Sequence, residues 1–128
     1  MVHHTMSSEK LAMFEDQKYI CLETFKKNGQ GVKTPVWFVI RDGIIYITTM
    51  DYTWKVKRLK NTKSVRITPS SFKGKPKREW VNGQAFFGND SELKLTMSLR
   101  NKKYGMLARM IGLFASKKGK VAVIGIKI

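Results

Sequence analysis

The chain has 128 residues, 42% of them hydrophobic, enough for one core and short for two domains. Its 25 lysines and arginines against 9 acids give a net charge of +16, which predicts an anionic partner without choosing among nucleic acid, an anionic membrane surface and a phosphorylated ligand. Apolar stretches such as Pro35 to Ile40 are too short to cross a bilayer and Met1 to Ser8 lacks an apolar signal region, so a cytoplasmic protein with no membrane span is expected.

In chain order, residues 1–6, with adjacent His3 and His4, read as an unstructured leader, and residues 7–128 as one domain. Ser7 or Ser8 caps a short helix through Leu11, Met13 and Phe14 that ends near Asp16. Tyr19 to Phe25 is a strand closed by the Asn28-Gly29 turn signal, and Cys21 within it is expected as a buried, reduced thiol. Val32 to Ile40 is a second strand, which passes through the Asp42-Gly43 turn into Ile44 to Thr49. Val56 and Leu59, spaced three apart among lysines and Arg58, predict a short helix over 51–61 with a basic outer face.

Two more strands follow, Val65 to Thr68 and Trp80 to Phe87, separated by an exposed basic loop from Pro69 to Arg78. Asp90 or Ser91 caps a helix through Leu93, Leu95 and Leu99, and Tyr104, Leu107, Ile111 and Phe114 repeat at helical spacing as core residues. Val121 to Ile128 is a closing strand. About six strands with short peripheral helices predict a mainly β, β-rich α+β fold. A barrel removes the exposed edges of so small a sheet.

The catalytic inventory is thin, and no catalytic side chain stands out. Beyond the leader there is no histidine, no metal-ligand cluster, no P-loop and no paired acids in a setting for acid–base work. An enzyme built from these residues must borrow its chemistry from a cofactor.

Three segments carry a resemblance: Thr34-Pro35-Val36-Trp37-Phe38, then Ile44 to Thr49, then Thr53-Trp54-Lys55-Val56-Lys57-Arg58-Leu59. In order and spacing they resemble the pyridoxamine 5′-phosphate oxidase-like split β-barrels that bind FMN or the deazaflavin F-420, and most closely a small actinobacterial and archaeal branch of deazaflavin-dependent enzymes. The likeness runs from about Leu11 to Phe87. It implies a homodimer with cofactor sites at its interface and hydride transfer to an unsaturated small molecule. It places the backbone of Thr34, Pro35, Val36 and Trp37 along the tricyclic ring, Thr48 and Thr49 at the ribityl chain or phosphate, and Lys55 and Lys57 at the phosphate. Trp80 or Val81 of a second copy completes the site. Trp54 stands where oxidase relatives have an arginine, a departure that favours the deazaflavin branch. The anionic oligoglutamate tail of F-420 would give the basic excess a target.

Blander readings stand beside these. Trp37, Trp54 and Trp80 also suit core or interface positions, Lys55 and Lys57 suit a solvated helix face, and Lys73 to Arg78 suit plain surface. A basic nucleic-acid-binding barrel, using Phe72, Trp80, Phe86 and Phe87 for stacking, is the competing class. A barrel that holds a flavin, deazaflavin or haem without turnover is the third, with haem disfavoured because histidine is confined to the leader.

Overall fold

The computed structural model describes residues 9–113, with side chains to 105, and 120–128. The expected leader, the Ser7 or Ser8 cap and Phe114 lie outside the described residues, as does the side-chain packing of Leu107 and Ile111. The elements are β1 (Tyr19–Phe25), β2 (Gly31–Val36), β3 (Val39–Arg41), β4 (Ile44–Met50), α1 (Trp54–Asn61), β5 (Ser64–Ser70), β6 (Val81–Phe87), α2 (Asp90–Leu113) and β7 (Val121–Lys127). A short helical segment at 9–12 precedes them, and Asp16, at φ 63°, ends the turns that follow it.

Seven antiparallel strands form one sheet in the order β2-β1-β5-β6-β7-β4-β3. Its two outer strands, β2 and β3, are joined by only Trp37 and Phe38. A connection so short brings the sheet's edges together and curls it into a split barrel. The expected single strand Val32 to Ile40 is thereby corrected to two, and six strands to seven. The chain changes partner at Trp37-Phe38, leaving β1 for β4, and alternation of side chains does not register a change of partner.

The turns follow local rules. Asp42 and Gly43 both take positive φ, 52° and 75°, the pair that a tight β3–β4 hairpin requires. Gly29 takes φ 89°, while Asn28 Oδ1 accepts from the Gln30 N–H at 2.9 Å.

The barrel interior takes Ile20 and Leu22 of β1, Ile45 and Ile47 of β4, Val65 and Ile67 of β5, and Ile124 and Ile126 of β7. Phe14, Phe38, and Val56 and Leu59 of α1 pack with them. A smaller cluster lies outside the sheet, where Leu93 and Leu99 of α2 cover Val39, Tyr46, Val123 and Phe86. There Gly125 has no room for a Cβ, because the Phe86 ring occupies that place. Helix α1 starts one turn later than 51, since Thr53 caps it: its hydroxyl accepts from the Val56 N–H at 3.4 Å. The cap of α2 is Asn89 rather than Asp90 or Ser91, in a reciprocal box with Glu92: Asn89 Oδ1 accepts from the Glu92 N–H at 2.9 Å, and the Asn89 N–H donates to Glu92 Oε1 at 3.0 Å. That bond, with a further one from the Tyr46 hydroxyl, holds the Glu92 carboxyl below its ordinary value. Cys21 is buried and unpaired, and burial pushes its thiol up.

Candidate functional site

The residues named from sequence fall into four places. In β2, pairing with β1 occupies one side of the strand and leaves the other as a sheet edge, where Pro35 costs no ladder hydrogen bond. Lys33 and Pro35 are exposed on this strand and Thr34 and Val36 half-buried.

Trp37, at the end of that edge, is held by α2. Its indole stacks on the Tyr104 ring at 4.2 Å and 7°, and the Arg100 guanidinium lies 5.1 Å from its centroid. The Tyr104 hydroxyl accepts from the Phe38 N–H at 3.1 Å and donates to the Lys18 carbonyl at 2.6 Å, with the Phe38 carbonyl a second acceptor at 3.1 Å. Lys103 Nζ donates to the Phe38 carbonyl at 2.9 Å and sits 3.5 Å from the Phe38 ring centroid. Burial pushes Lys103 down to about 8 and Tyr104 up to about 12. The contacts of the Lys103 ammonium with the carbonyl and the ring oppose its shift, since only the charged form makes them fully. Thr48 joins Trp37, Thr96 and Arg100 around a cavity of about 10 Å³, room for one water and not for a ring.

Thr49, in β4, reaches the start of α1, its hydroxyl 3.3 Å from that of the capping Thr53. Thr53 already satisfies the Val56 and Lys57 N–H groups, which leaves those of Trp54 and Lys55 as the orphan donors at the positive end of the helix. Lys55 is half-buried, and burial, then the charge of Arg58, lowers its affinity for a proton.

The most exposed large apolar side chain among the described residues lies beside α1. Trp54 is 71% exposed, with Lys57 Nζ 4.3 Å from its ring centroid. Together with Lys26, Lys27, Val32, Arg58 and Asn61 they line an open groove of about 530 Å³. The Arg58 Nε also donates to the buried Thr24 hydroxyl at 2.6 Å, which fixes that guanidinium at the groove's wall. Lys26, Lys27, Arg58 and Asn61 escaped sequence reasoning as site residues. The local signal was a hairpin ending in two lysines, and nothing local says that α1 packs against it.

Trp80 stands apart from the groove, on the outer face of the sheet between Lys33 and Arg66, whose charges lie 5.2 and 5.0 Å from its ring. Arg66 also pairs at 2.6 Å with the buried Glu23, which compensates that carboxylate. Within one chain the named residues do not converge on a single pocket. Among the described residues no three His, Cys, Asp or Glu side chains cluster as metal ligands, and no helix is long and apolar enough to cross a membrane.

No family model matches the sequence, and no curated protein matches it. Solved structures do match its fold. HutZ, the haem storage protein from Vibrio cholerae, aligns with TM-score 0.68 and 15% identity over 94% of this chain and 87% of its own. A pyridoxamine 5′-phosphate oxidase-type protein from Listeria innocua gives 0.63 and 12% over 94% and 91%, and a NimC/NimA family protein from Clostridium acetobutylicum 0.62 and 19% over 93% and 78%. Identities this low speak for the fold alone. The curled seven-stranded sheet and these neighbours together make the chain a split β-barrel of the pyridoxamine 5′-phosphate oxidase-like fold.

Proposed function

We propose that the protein binds a phosphate-bearing tricyclic cofactor, F-420 first and FMN second, in the groove beside α1, and acts with it as a reductase of an unsaturated small molecule. The observation that carries this reading is the exposed Trp54 set among Lys26, Lys27, Lys57 and Arg58. An indole face left in water beside four cations fits a ligand that is aromatic at one end and anionic at the other. The orphan N–H groups of Trp54 and Lys55 favour a phosphate at the same end of the helix. Bound there in reduced form, such a cofactor would supply a hydride to the substrate.

The chain's own residues bind and orient. Lys57 and Arg58 neutralise phosphate charge, Trp54 forms one wall, and the free edge of β2 from Thr34 to Val36 offers backbone groups to a ring. No described side chain is poised as a proton donor, so the substrate's proton comes from solvent. A second copy of the chain completes the site with Trp80 or Val81, giving a homodimer with two sites.

Parallel titrations with F-420, FMN and haemin, followed by tryptophan quenching, test this. Micromolar or tighter binding of F-420 or FMN is expected, weakened at least about tenfold in Lys57→Ala, since a charge-assisted contact to phosphate contributes about 1.5–3 kcal/mol. Haemin binding with neither of the other two would move the protein beside the haem storage neighbour instead, although no histidine occurs among the described residues. Unchanged affinity in Lys57→Ala would remove the groove from the site.

A further inference from the structure

The basic loop between β5 and β6 takes no part in the groove beside α1. Tyr19, which begins β1, pairs with Ser70 at the end of β5, whereas the groove meets the hairpin beyond Phe25, at the other end of β1. Residues 71–78 include Lys73, Lys75, Lys77 and Arg78 and no acid.

The loop is built rather than slack. The Gly74 N–H donates to the Ser71 carbonyl at 2.9 Å, the Ser71 N–H to the Lys75 carbonyl at 3.0 Å and the Lys77 N–H to the Pro69 carbonyl at 2.8 Å. The Lys75 N–H donates to the Ser71 hydroxyl at 3.1 Å, and Pro76 forms a β-bridge with Ser70. Gly74, at φ 87°, rests against Pro35: a Cβ there would lie 3.4 Å from the proline ring. This turn holds Phe72 64% exposed, with Lys73 Nζ 5.6 Å from its ring centroid. Beside Phe72 a groove of about 410 Å³ is lined by Lys18, Tyr19, Ser70, Ser71 and Lys77, with Asp16 as its acid.

A phenyl ring has no hydrogen-bonding group to reward its exposure, and here a hydrogen-bonded turn keeps it in water amid four cations. We propose that this turn docks on an anionic lipid bilayer. Phe72 enters the boundary between headgroups and acyl chains, Lys73, Lys75 and Arg78 meet lipid phosphates, and Lys18 and Lys77 hold one headgroup phosphate in the adjoining groove. The charge of +16 draws the protein to such a surface. Single-stranded nucleic acid is gripped by successive stacking rings along a channel, whereas a single ring on the outside of a turn is suited to insertion.

Flotation of the full chain with vesicles of phosphatidylcholine, alone or mixed in equal parts with phosphatidylglycerol, tests the proposal. Binding is expected only to the anionic vesicles and is expected to fall with added salt. Phe72→Ser should weaken it about tenfold, in line with the loss of one buried aromatic side chain, with thermal unfolding and cofactor titrations as in the parent. Lys73→Ser/Lys75→Ser should weaken it and flatten its salt dependence. Phe72→Trp should gain fluorescence quenching by brominated acyl chains. Parent-like vesicle binding by Phe72→Ser, absence of binding to anionic vesicles, or displacement from them by a short oligonucleotide that binds Phe72→Ser and parent alike would each overturn it.

Discussion

Two tryptophans of the same resemblance meet opposite fates. Trp37 and Trp54 each have a cation over the indole, Arg100 at 5.1 Å and Lys57 at 4.3 Å. Trp37 is stacked on Tyr104 and sits beside a cavity the size of one water, whereas Trp54 is 71% exposed above an open groove. The first indole helps to lock the two-residue link that closes the barrel, and the second is left for a ligand. An indole with a cation beside it is structural where a third group completes it and available where none does.

Removing the third group should separate the two sites most. Tyr104→Ala loses the stacked ring and the hydroxyl that holds Phe38 and Lys18, and a cost of about 3 kcal/mol is expected in denaturant unfolding. Ligand titrations of the Trp54 groove should stay as in the parent, and a loss at both places would mean that the two are one site. Tyr104→Phe keeps the stack and removes only the hydroxyl. It should cost about 1–2 kcal/mol, since Lys103 still serves the Phe38 carbonyl.

The pH dependence sharpens the same point. With Tyr104 pushed up to about 12, the folded state keeps a phenol proton that the unfolded chain loses near 10, so stability falls as pH rises across that interval. Lys103 runs the other way. Its folded value of about 8 lies below the ordinary 10.5, so its cost is present below about 8 and is relieved as pH climbs between the two. Unfolding followed from pH 7 to 12 should show a larger alkaline loss in the parent than in Tyr104→Phe, where the raised Cys21 and Tyr46 still contribute. Trp54→Ala is the smallest perturbation of stability, within about 0.5 kcal/mol as for an exposed site. Its cofactor affinity should drop about tenfold, and a Tm shift like that of Tyr104→Phe would show that Trp54 is structural after all.

Much of the frame was legible in the chain. Short apolar runs marked β1, β4 and β7, and Asn28-Gly29 and Asp42-Gly43 marked hairpins through the backbone freedom of those residues. The candidate site was legible only in part. Trp54 and Lys57 were named and meet in one groove with Arg58, one turn on from Trp54 in α1, while Lys26 and Lys27 join them through a contact between α1 and β1 that is distant in sequence. Tyr104 was read as core, and its role as a clamp on Phe38, 66 residues away, has no local signal.

Local pattern, acting over a few residues through sterics and side-chain alternation, determined which segments are strands, which are helices and where the chain turns. Only the tertiary structure decided that Trp37-Phe38 divides one apolar run between two partners, that Arg100, Lys103 and Tyr104 close over that link, and that Trp54 rather than Trp37 stays open to a ligand. Those outcomes depend on which distant surfaces pack together, and a periodic pattern says that a face will be buried without saying against what.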